Sequence, residues 1–97
     1  MKALKPQLLR ELIGYAEKGE LDKVVGVLVR LNQDQLAELK AVLWMGKDGQ
    51  SPKHWEALVI QARAKLDKDT VQFFTDEKNL GIDLHKGLDM LENSGRI

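Results

Sequence analysis

The residues best placed to do chemistry lie near the end of the chain. His85, Asp89 and Glu92 are spaced i, i+4 and i+7, which sets an imidazole and two carboxylates along one helix face. Such a trio supplies three ligands for a metal, or a base and two acids for proton transfer. Helix-bundle di-iron centres also require a Glu-x-x-His pair, and the chain has none. A surface ion pair between His85 and Asp89 accounts for the spacing more simply. The other histidine, His54, falls on a different segment.

Nucleophiles are scarce. There is no cysteine, and the only serines are Ser51 and Ser94. Ser51 precedes Pro52, where a helix cap explains it fully, and no Gly-x-Ser-x-Gly elbow surrounds either residue. The stretch Gly46-Lys47-Asp48-Gly49-Gln50 has the composition of a ligand loop. Setting Gly49 at the sixth position of a calcium loop puts Trp44 and Trp55 where carboxylates belong. The Gly-x-x-x-x-Gly-Lys-Ser/Thr pattern of a phosphate loop is absent as well. The stretch reads as a connection between helices. These residues predict a chain without catalytic centre, metal or cofactor.

Binding residues offer more. Trp44 and Trp55 bracket the loop, and tryptophan is both a core anchor and an interface hot spot. Trp55 falls on the apolar stripe of its segment and is expected inside. Trp44 lies beside its stripe and, with Met45, is a candidate contact surface. Val27 and Val29 add apolar area beyond what one stripe needs and complete that surface. Arg63, Lys65 and Lys68 form a loose basic cluster, but Asp67 and Asp69 interrupt it. No recognition helix rich in Arg, Asn and Gln stands out, so the sequence argues against nucleic acid as a partner.

The elements that carry these residues follow from apolar spacing. Leu8, Leu9, Leu12, Ile13 and Ala16 make a stripe on a first helix opened by Pro6 and stopped by Gly19. Leu21, Val24, Val25, Leu28 and Leu31 mark a second helix, taken as central because Val27 and Val29 widen its face. Asn32 and Gln35 have capping-box spacing at the start of a third helix, which carries Leu36, Leu39, Val42 and Leu43 and is expected to end at Gly46. Ser51-Pro52 opens a fourth, with Trp55, Leu58, Val59, Ala62 and Leu66 inward. Asp67 or Asp69 caps a short fifth helix holding Val71, Phe73 and Phe74. After a polar turn over Asp76 to Asn79, a last helix carries Leu80, Leu84, Leu88 and Leu91 and ends at Asn93-Ser94-Gly95. No pair of segments has hairpin chemistry. The predicted fold is all-α, a compact bundle of five to six short helices in a single domain over 1–97, with a helical hairpin over 1–32.

Composition narrows the classes. Fifteen Lys plus Arg balance fifteen Asp plus Glu in 97 residues, and 43% are hydrophobic. That is too apolar and too neutral for disorder, and it gives no bulk attraction to polyanions. The balance holds in each half of the chain. The longest apolar run, Val24 to Val29, is far short of the about 20 residues that span a bilayer. Met1 to Leu9 lack the apolar run of an export signal. Cysteine-free and without either segment, the chain is expected in the cytoplasm and away from membranes.

From Leu36 to Leu91 the chain resembles a bacterial family of uncharacterised helical proteins, a domain of unknown function common in proteobacteria. The resemblance rests on Leu39-Lys40-Ala41-Val42-Leu43-Trp44-Met45-Gly46, on Trp55-Glu56-Ala57-Leu58 with Ala62-Arg63, on Phe73-Phe74, and on Leu84-His85-Lys86-Gly87-Leu88. Lys47, Phe73-Phe74 and Lys78 depart from the pattern. The resemblance implies an all-α fold over 33–97 and no catalytic residue. A glycine inside a helix costs about 1 kcal/mol relative to alanine, so Gly87 is expected to receive a bulky neighbour, with Trp55 and Trp44 as candidates. The functional expectation is a non-enzymatic interaction module that binds another protein or itself, with nucleic-acid binding in regulation as the alternative.

Overall fold

Helix α3, Gln33–Asp48, is the axis of the molecule. Seven consecutive residues, Ala37 to Leu43, are buried, so neighbours cover it on every side. The computed structural model describes all residues from Met1 to Ile97. Around α3 stand α1 (Pro6–Glu17), α2 (Leu21–Leu28), α4 (Trp55–Ala64), α5 (Thr70–Thr75) and α6 (Leu80–Asn93), with no strand. The axis packs chiefly on α6 and α4, while α1 lies against α6 and α2, and α2 touches α5. The all-α bundle of six short helices is therefore as the spacing predicts. The central helix is α3, whereas the valines had pointed to α2. No helix is long and apolar enough to cross a membrane.

The local signals act where the sequence puts them. Pro6 is the first residue of α1, and Gly19 takes a positive φ of 72° just after its end. The Asn32 side chain accepts from the Gln35 amide at 2.8 Å, and the Gln35 side chain accepts from the Asn32 amide at 2.9 Å. This reciprocal pair is a full capping box. Ser51 caps a single 3-10 turn, Pro52–His54, which leads into α4 at Trp55.

Three boundaries differ from expectation. Helix α4 stops at Ala64, before Leu66. Helix α2 stops at Leu28, before Leu31. Helix α3 runs through Gly46 to Asp48, and Gly49 supplies the left-handed turn, with φ 72° and its amide donating to the Met45 carbonyl. Gly46 is instead a contact point. A β-carbon there would overlap the Asp83 carbonyl and come within 2.9 Å of the Gly87 nitrogen. One turn away, a β-carbon on Gly87 would overlap the Val42 carbonyl and lie 2.8 Å from its Cγ1. The bulky neighbour of Gly87 is therefore Val42 and the α3 backbone, and neither tryptophan. The two glycines let α3 and α6 cross nearly backbone to backbone.

Leu4, Leu9, Leu12, Val24, Leu39, Leu43, Trp55, Phe74, Leu84 and Leu91 belong to one continuous core. Two charged side chains of α3 are buried beside it. Glu38, 5% exposed, accepts from three successive amides, those of Lys2, Ala3 and Leu4, at 2.7 to 3.1 Å. The carboxylate thus holds the first residues of the chain and seats Leu4 in the core. Lys40, 7% exposed, lies against the rings of Phe73 and Trp44.

Candidate interaction surface

The four residues singled out from the sequence do not form one surface. Met45 is fully buried, and Val27 is 5% exposed, because both point toward the core side of their helices. Neither offers area to a partner. Val29 is 63% exposed as the C-terminal cap of α2, a position two residues and about 200° round from Val27. Trp44 is half-buried.

Trp44 belongs to a corner of aromatic rings and ammonium groups. Lys40 lies one turn before it on α3, with Nζ 4.4 Å from the Phe73 ring centroid and 5.9 Å from that of Trp44. Lys65, the cap of α4, places its Nζ 5.5 Å from the Trp44 ring. Phe73 meets Phe74 edge to face, at 5.3 Å. Lys40 is 7% exposed, and its one hydrogen bond, to the Lys65 carbonyl, is long at 3.5 Å. Burial pushes its ammonium below the ordinary lysine value; nearby Asp67 opposes the shift and Lys65 adds to it. The ring faces take the place of the hydrogen bonds that the ammonium lacks. Sequence spacing missed both Glu38 and Lys40. The available signal was the pair Ala37 and Ala41 on the flank opposite Leu36 and Leu43, which marks α3 as enclosed all round.

The chemical trio stays along one groove, with its members set against different partners. His85 lies 3.6 Å from Asp89, the neighbour its spacing predicts, and its other ring nitrogen is 3.7 Å from Glu17 of α1. Glu92 pairs with Arg10 at 3.3 Å. These residues rim a groove of about 310 Å³ between α1 and α6, floored by Ile13, Gly14 and Leu88. No three His, Cys, Asp or Glu side chains come close enough to hold a metal ion. Near the opposite end of α6, Lys47 donates to Glu77 at 2.7 Å, and that bond holds the Lys47 ammonium above its usual range.

The outer face of α4 holds an exposed aliphatic side chain. Ile60 is 71% exposed, ahead of Val29, Ile82, Leu21 and Ile97. Ala57, Gln61 and Ala64 are exposed beside it at helical spacing. Trp55, Leu58 and Ala62 face inward and fix the rotation of the helix. Charges flank the face. Arg63 is paired with Asp34, and Arg96 donates to Glu56 at 2.9 Å. The Glu56 carboxyl is held below the usual carboxylate range by a backbone hydrogen bond first and by Arg96 second.

The family model described as Protein of unknown function (DUF3775) matches residues 21–93, which is α2 through α6. The chain belongs to this family. The match begins fifteen residues before the stretch quoted from the sequence and leaves α1 outside. No curated protein and no solved structure matches the chain.

Proposed function

We propose that this DUF3775 chain is a non-enzymatic interaction module, a bacterial cytoplasmic protein that binds another protein or itself. The observation that carries the reading is the outer face of α4, where Ile60 stands in water between Ala57, Gln61 and Ala64. An aliphatic side chain this exposed gains about 1.5–3 kcal/mol when a partner covers it. The groups with chemical potential already have structural work. Glu38 binds the first amides, Lys40 rests on Phe73, and His85 lies between Glu17 and Asp89. Nucleic-acid binding has less support, because Arg63 engages Asp34 and Lys65 faces Trp44.

Two measurements on the full chain test the reading. Light scattering over a concentration series reads self-association, and affinity capture followed by purified reconstitution reads a foreign partner. A chain that is monomeric throughout and reconstitutes with nothing overturns it.

A further inference from the structure

We propose that the outer face of α4 is a homodimer surface, on which two copies pack antiparallel about a two-fold axis through Ile60. The proposal rests on the interaction reading above and names its partner as a second copy of this chain.

The charge order on the helix selects that partner. Glu56 lies four residues before Ile60 and Arg63 three residues after it, and i, i+4, i+7 spacing puts all three on one face. A two-fold axis at Ile60 reverses the second helix. Ile60 then meets Ile60 of the other copy, and each Glu56 comes within one residue, about 1.5 Å along the axis, of an Arg63 of the other copy, an offset these long side chains span. The face is its own complement, as an isologous interface requires. A parallel arrangement sets Glu56 on Glu56 and Arg63 on Arg63, which like-charge repulsion disfavours.

The neighbouring residues fit the same arrangement. Ala57 and Ala64 flank Ile60 with small side chains, so two helix backbones approach closely there. Asp34 and Arg96 already pair with Arg63 and Glu56 within each copy. In the dimer each contact becomes a row of alternating sign, Asp34, Arg63, Glu56, Arg96, crossing from one copy to the other. Such networks outlast single exposed pairs, which contribute little. Ten residues make a helix about 15 Å long. That face alone is small beside the about 1,200–2,000 Å² of a stable interface, so the dimer is weak and exchanges quickly.

Sedimentation velocity from about 10 μM to about 1 mM, spanning the affinities of such small interfaces, tests the proposal. The wild-type mass rises toward twice that of the monomer. Ile60→Asp stays monomeric with an unchanged helical circular dichroism spectrum, since its side chain lies outside the core. Glu56→Arg and Arg63→Glu each weaken association about tenfold by creating two like-charged contacts. The double variant E56R/R63E associates more tightly than either single parent, because antiparallel pairing restores both contacts across the axis, and stays weaker than wild type because the swapped charges face Arg96 and Asp34 within each copy. A wild type that is monomeric at the highest concentration overturns the proposal. So does a dimer indifferent to I60D, or a double swap no stronger than its single parents. A dimer that survives I60D, or a monomer that reconstitutes with a foreign protein, sinks this surface and leaves the interaction reading standing.

Discussion

The backbone nitrogen of Gly87 lies 2.9 Å from where a β-carbon of Gly46 would sit. No side chain fits at that crossing, so α3 and α6 meet through their backbones. Helix propensity favours alanine over glycine by about 1 kcal/mol at each site, and steric overlap opposes it with backbone atoms that have no rotamer to escape into. Gly46→Ala and Gly87→Ala are therefore expected to destabilise by about 3 kcal/mol each, at the upper end of overpacking costs. Gly26 is the control, since a β-carbon there meets nothing within 4 Å. Gly26→Ala is expected to stabilise by about 0.5–1 kcal/mol. Urea denaturation of the three variants reads both signs. Stabilisation at Gly46 or Gly87 sinks the close crossing.

Val27 and Val29 separate core from surface on one short helix. Val27→Asp places a carboxylate at a position only 5% exposed, and a loss of about 3 kcal/mol is expected. Val29→Asp is expected to stay within about 0.5 kcal/mol of wild type, as exposed positions do. Thermal melts compare them directly. Equal losses at both sites contradict the placement of Val27 inside and Val29 outside.

What could be read along the chain was local. The Asn32–Gln35 box needs only three residues of spacing, and both of its hydrogen bonds form. The leucines of α6 at 80, 84, 88 and 91 all lie inside, because a single stripe facing a single neighbour repeats at helical period. The failures concern residues whose roles are set from far away. Gly46 reads as a helix stop, and only the approach of Asp83 and Gly87 makes it a contact. Glu38 looks like a solvated charge until Lys2 to Leu4 arrive, more than thirty residues distant. Val27 and Val29 look equivalent as apolar surplus, and the about 200° of helix rotation between them, which the spacing did carry, sends one inward and the other out. The candidate surface suffered for that reason. Ile60 sits opposite a well-formed inward stripe, and only the empty space outside α4 gives it meaning.

Lys40 is expected to lose its proton at lower pH than Lys47 or Lys23. Burial lowers the Lys40 ammonium, while hydrogen bonds to Glu77 and Glu20 raise the other two. Side-chain NMR titration reads the order. The sign for stability follows from proton linkage. The unfolded chain holds the Lys40 proton more tightly than the folded one, so this residue's contribution to stability rises with pH between the folded and the ordinary lysine values. The contributions of Lys47 and Lys23 run the opposite way and are lost as pH rises through their raised values, so the comparison is wild type against Lys40→Met. The stability of wild type relative to Lys40→Met is expected to increase through the alkaline range. A flat difference, or titration of Lys40 together with Lys47, rules out burial as the governing cause.

Glu38 makes the sharpest demand on the first residues. Its two oxygens accept four hydrogen bonds from three amides, and Leu4 follows them into the core. Glu38→Ala removes every acceptor at once. The segment then either leaves its amides unpaired in a buried place, at about 1–3 kcal/mol each, or peels away and takes Leu4 into water. Peeling away costs less, so a total loss of about 3 kcal/mol is expected. Glu38→Gln is expected to lose nearly as much, because its amide group turns two donors toward donors. Hydrogen exchange distinguishes a staple from a general weakening. The Leu4 amide is expected to lose nearly all protection in Glu38→Ala, while amides of Leu43 and Leu84 slow-exchange in proportion to the remaining global stability. Protection at Leu4 that falls only in step with Leu43 shows that the carboxylate is not what holds the segment down.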